Sequence, residues 1–276
     1  MTEAALEAAA PAQRREGDLA GVATAVRTRL GLVALLALLA GLCWWATVAR
    51  MSGMAASPGA ELGTLGWFVA TWALMMAAMM FPAVSPTVAL YARMTRRRGL
   101  RRPLAFAAAY LLVWSVAGVA AYGVDALVRH LAGPSLAWEM GGHWLAASVV
   151  AVAAVYELTP LKNVCLARCR SPLGFLLGSW RDGTAGALRM GARHAAWCVG
   201  CCWALMAALF ALGVMSLTWM AVVAVLITLE KTVPGRRAVT GATAAVLLAI
   251  AVLLAASPHL LPGLSVPGGM PAGMGM

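Results

Sequence analysis

Five of the six cysteines lie close together in the chain: Cys165, Cys169, Cys198, Cys201 and Cys202. His194, Cys198, Cys201 and Cys202 fall at i, i+4, i+7 and i+8, which is one stripe of a helix. Cys165 and Cys169 are four apart, so a helix would turn both to one side. Three thiols and an imidazole beside two further thiols form a ligand set for a soft metal. Thiolates select copper(I) or zinc. The spacing is not that of a zinc finger. The c-type haem signature is absent, and no ferredoxin-type cysteine run is present. The competing reading is packing, because cysteine is also a small apolar residue that fills helix interfaces.

A second sulfur group precedes the first. Met75 and Met79, and Met76 and Met80, are i, i+4 pairs between Trp72 and Pro82. Thioethers are soft ligands that suit copper(I) and bind it without losing a proton. Such weak sites suit passage more than storage. Methionine is equally an adaptable filler of core gaps, and that reading stays open beside the ligand one.

Four charged residues stand at the ends of apolar runs: Glu157, Lys162, Glu230 and Lys231. Charges at membrane depth are rare and are paired or functional. They are read as structural ion pairs, for instance Glu157 with Lys231 across two helices. No nucleophile elbow, phosphate loop or zinc-protease helix is present. No catalytic residue and no organic cofactor is assigned.

These side chains need elements to hold them, and the composition says which. The chain has 276 residues, 62% of them hydrophobic and only 11% charged. Soluble domains carry roughly a quarter charged residues, so water is the wrong solvent for most of this surface. Segments of about 20 apolar residues cross a hydrocarbon core about 30 Å thick. Helix is the expected form, because it satisfies its own backbone hydrogen bonds in lipid. Solid apolar runs such as 30–40 lack the alternation of a β-barrel.

Seven runs can be marked, at 30–48, 66–90, 104–128, 143–160, 195–213, 215–230 and 238–256. The expected fold is an all-α polytopic transmembrane bundle of seven spans over residues 30–257. The net charge of +11 is concentrated in short loops. Arg93, Arg96, Arg97, Arg98, Arg101 and Arg102 follow the second run. Lys162, Arg168, Arg170, Arg181, Arg189 and Arg193 follow the fourth, and Lys231, Arg236 and Arg237 follow the sixth. Seven spans put all three groups on one side, which the positive-inside rule makes cytoplasmic. The N-terminus is then inside and the C-terminus outside. The basic loops interleave no aromatic platforms, so the expected partner is the lipid bilayer and not nucleic acid.

Three segments flank or interrupt the spans. Residues 1–29 read as a disordered cytoplasmic tail, and 258–276 as a disordered tail rich in Met, Gly and Pro. The stretch 161–193 is basic with scattered apolar residues, and is expected to lie along the cytoplasmic face as an interfacial segment. Thiols on that side stay reduced, so no disulfide scaffold is expected.

Several of these motifs together resemble a known family. They are Met75-Met76-Ala77-Ala78-Met79-Met80-Phe81-Pro82, Tyr156-Glu157-Leu158-Thr159-Pro160-Leu161-Lys162, Cys165 and Cys169 leading into Arg170-Ser171-Pro172-Leu173-Gly174-Phe175, Gly186-Ala187-Leu188-Arg189, Cys198-Val199-Gly200-Cys201-Cys202-Trp203, and Leu229-Glu230-Lys231 with Pro234. The chain resembles, over roughly 65–235, a bacterial family of unknown function described as metal-binding integral membrane proteins, some of them labelled copper chaperones. The resemblance implies metal binding, a bacterial inner membrane, and a small soluble partner protein of the kind often encoded beside family members.

Taken together, the expected function is the handling of a soft metal ion, copper(I) first, by a transporter or membrane-bound chaperone. Zinc, or no metal at all, stays open as the ligand. Two other readings compete. One is a membrane assembly protein whose cysteines only pack. The other is a thiol-redox membrane protein in which Cys198, Cys201 or Cys202 cycles.

Overall fold

A computed structural model describes residues 31, 34–50, 63–95, 99–132, 142–213, 216–233 and 235–257. The two tails and the methionines within them lie outside these residues. Among the described residues the chain forms nine helices and no strand. They are α1 (Ala34–Arg50), α2 (Leu65–Met94), α3 (Arg101–Ala132), α4 (Gly142–Glu157), α5 (Pro160–Cys169), α6 (Pro172–Ser179), α7 (Gly183–Gly213), α8 (Leu217–Thr232) and α9 (Arg236–Ala256).

Four helices, α2, α3, α7 and α9, are long and apolar enough to cross a membrane, and α4 with α5 makes a fifth if the bent pair is one span. Where described, the seven apolar runs are helical apart from Leu158, Thr159 and Ser216. Two fall short by length. Helix α1 belongs to the shorter apolar class. Helix α8 has 16 residues, about 24 Å at 1.5 Å per residue, against a core of about 30 Å.

The basic stretch 161–193 is divided among three elements. It holds most of α5, all of α6 and the first turns of α7, which starts at Gly183 instead of near residue 195. Lys162, Cys165, Leu166, Cys169, Phe175 and Leu176 are buried within it. The segment therefore feeds the core. Its apolar residues are too few for a sliding average to register, yet they fall at helical spacing.

Proline shapes this region. Pro160 and Pro172 open α5 and α6 at their first turns, where a missing N–H is harmless. Pro160 also holds Thr159 in an extended conformation. The Thr159 hydroxyl accepts from the Lys162 backbone N–H at 3.3 Å and so caps α5. The chain bends by 69° between α4 and α5. The bend brings Glu157, at the end of one helix, against Lys162, in the first turn of the next.

Helix α7 is the centre of the bundle, with α3, α4 and α5 packed along it. Small residues permit the approach, as is usual between helices in lipid. A Cβ added to Gly191 would collide with the Phe106 carbonyl of α3, and one at Gly118 would collide with the Trp72 ring. The Trp72 indole N–H donates to the Trp114 carbonyl at 2.8 Å, tying α2 to α3. Helix α9 packs along α4, and α2 also touches α6 and α8.

Candidate metal centre

The stripe on α7 faces the protein interior. His194, Cys198, Cys201 and Cys202 are all buried. Helix α5 lies against the same face and brings Cys165 and Cys169, also buried. The sulfurs of Cys169, Cys198 and Cys201 all lie within 4.8 Å of one another. Cys201 Sγ is 3.8 Å from Cys169 Sγ and 3.3 Å from Cys202 Sγ. All six cysteines are free.

The trio fits a soft ion. Metal–thiolate bonds of about 2.3 Å around three equivalent sulfurs separate them by about 4 Å. Cys169 and Cys201 stand at about that separation, and all three sulfurs lie within 4.8 Å of one another. All three candidate donors are sulfur, so the chemistry of the donor set favours copper(I) or zinc over hard cations.

The other sequence candidates take different places. Cys165 packs into the gap left by Gly200, where an added Cβ would sit 2.8 Å from its sulfur. Cys202 touches Cys201 yet falls outside the mutual set. His194 lies one turn below Cys198 in an aromatic box. Its ring centroid is 4.7 Å from Phe175, 5.9 Å from Phe106 and 6.0 Å from Tyr110. Its Nδ1 is buried and has no hydrogen-bond partner.

Met75, Met76, Met79 and Met80 are fully packed in α2. Aromatic contacts give their depth. Trp72 meets Phe210 of α7 at 5.4 Å, while Tyr91 meets Phe106 at 5.7 Å, beside His194. Met79 and Met80 lie between those two levels, as do Cys198, Cys201 and Cys202 on α7. The methionines are on α2, which packs on α3, α6 and α8, whereas the thiols are on α5 and α7.

The charged residues pair differently from the expectation. Lys162 Nζ contacts Glu157 Oε2 and lies 2.8 Å from Glu230 Oε2. All three side chains are 0–1% exposed. Lys231 does not pair with Glu157. Its ammonium lies 3.0 Å from Cys198 Sγ. The reason is the 69° bend, which hands Glu157 to the lysine of the next helix and leaves Lys231 turned to the thiols.

One neighbour had no signal in the sequence. Tyr110 of α3 places its hydroxyl 3.0 Å from Cys198 Sγ. Phe106 and Tyr110 face His194 and Cys198, so an i, i+4 pair on α3 meets an i, i+4 pair on α7. A lone tyrosine in an apolar run reads as ordinary packing until α3 and α7 are brought together.

The structure defines a class: all-α proteins with helices long and apolar enough to cross a membrane and, in the interior, three converging thiols that could hold a metal ion. Within that class the family is settled by sequence. The chain belongs to the PpoB2 copper chaperone family, whose sequence model matches residues 69–254. The match covers the methionine run, the cysteine trio, the buried triad of Glu157, Lys162 and Glu230, and Lys231. No curated protein and no solved structure matches the chain.

Proposed function

We propose that the protein binds copper(I) as cargo inside a bacterial inner-membrane bundle and passes it on, as a membrane-bound chaperone or transporter. The observation that carries this reading is the mutual 4.8 Å set of Cys169, Cys198 and Cys201. Family membership supports the choice of copper. The buried methionines of α2 serve as weak way-stations, and the thiolates as the tight site. His194 and Cys202, one turn below and one residue beyond, are alternative ligands during transfer. A small soluble protein receives or delivers the ion at the cytoplasmic side.

The bundle crosses seven times with the N-terminus inside. What supports this is the distribution of arginine and lysine, which seven spans collect on one side. Helix α8 spans despite its length through local thinning and flanking polar residues, a modest cost per ångström of mismatch.

The test is anaerobic titration of the purified protein with copper(I) against a chromophoric chelator. The wild type should hold one tight equivalent, and C169S/C198S/C201S should lose it. Unchanged stoichiometry in the triple variant removes the proposal.

A further inference from the structure

Copper(I) and zinc(II) both have filled d shells and both take thiolates. They differ by one unit of charge. A site that separates them by electrostatics needs a fixed charge close to the ion. Three thiols alone do not supply the distinction, since they attract the divalent ion more.

Lys231 is such a charge. Its Nζ lies 3.0 Å from Cys198 Sγ. With a metal–sulfur bond of about 2.3 Å, the ammonium stands within roughly 5 Å of any ion on that sulfur. Among the described residues no carboxylate pairs with Lys231, because Glu157 and Glu230 both turn to Lys162. Its ammonium at the trio is therefore not shared with an acidic side chain among the described residues. The Tyr110 hydroxyl, on the same sulfur at 3.0 Å, is neutral.

We propose that Lys231 is a specificity-determining residue, whose ammonium penalises divalent ions at the Cys169–Cys198–Cys201 site and leaves a monovalent soft ion as the preferred cargo. The ammonium repels a divalent ion twice as strongly as a monovalent one, which offsets part of the larger attraction the thiolates exert on it. The neighbouring cation acts here as an outer-shell group that tunes the metal site without binding it. This inference rests on the metal-site reading above and adds to it the source of the selectivity.

The test uses the full chain in detergent. Affinities for copper(I) and zinc(II) are each measured by chelator competition in wild type, K231R, K231Q, K231M and Y110F. K231Q and K231M should shift the copper-to-zinc affinity ratio toward zinc by about tenfold or more, while K231R stays within about threefold of wild type. Y110F removes a hydrogen bond and no charge, so it should move both affinities together. A ratio in both neutral variants within about threefold of wild type overturns the inference. So does a wild type that prefers zinc, or a Y110F shift as large as that of K231Q. A wild type that binds no copper(I) instead defeats the functional reading itself, so the two failures are told apart.

Discussion

At the scale of single residues, the molecule divides its buried charge into two separate groups. Lys162 neutralises one of two carboxylates, and Lys231 stands at a thiol. Breaking a buried ion pair from one side strands the other side. K162M leaves Glu157 and Glu230 facing each other, and should destabilise by about 3–5 kcal/mol. E157Q and E230Q each leave one carboxylate on the lysine and should be tolerated far better. Thermal unfolding in detergent, followed by circular dichroism, ranks the three. A K162M protein as stable as E230Q would show that the triad carries little. The thiols make a second prediction. Ligand thiols must lose protons to bind, so metal competes with protons at each sulfur. Copper(I) affinity should rise with pH and weaken as the solution is acidified. A pH-independent affinity would point away from thiolates and toward the thioethers of α2.

At the scale of elements, the site depends on a break and on a close approach. The break is the 69° bend between α4 and α5. P160A gives back a backbone N–H and frees Thr159 to join the helix. The two helices can then straighten, which carries Cys169 away from Cys198 and Cys201. The expected result is a loss of copper(I) affinity of about 10–100-fold, as for other supports of metal ligands, with the helical content retained. Equal affinity would mean that packing on α7 alone holds α5 in place. The close approach is that of α3 to α7 at Gly191. A larger residue there must push apart the pair that brings Tyr110 to Cys198. G191L should lower stability by about 1–3 kcal/mol or more, in the manner of other overpacked contacts, while the same change at Gly178, which has open space around it, should be nearly silent. Thermal unfolding of the two variants side by side decides between them.

At the scale of the whole molecule, the question is how many times the chain crosses. Length and apolarity qualify four helices, or five with the bent pair. Seven crossings put the three arginine-rich stretches on one side. Reporter fusions after residue 98, after residue 140 and at the C-terminus separate the models. The seven-span reading expects the first inside, the second outside and the third outside. A C-terminal fusion reporting from the cytoplasm would rule that reading out.

Some of this was written in the linear chain. Apolar runs of membrane length determine helices, because lipid offers the backbone no other partner. The i, i+4, i+7, i+8 spacing determines that His194 and the three cysteines share a face, because helical periodicity is local. Contacts between elements were not legible. Cys169, and not His194 or Cys202, completes the trio, because the α4–α5 bend and the α5–α7 packing set where its sulfur falls. Lys162, not Lys231, takes Glu157 for the same reason. Tyr110 reaches Cys198 from 88 positions away in the chain. No periodicity encodes such a meeting, since it follows from which small residues let two helices approach and at what register they stop.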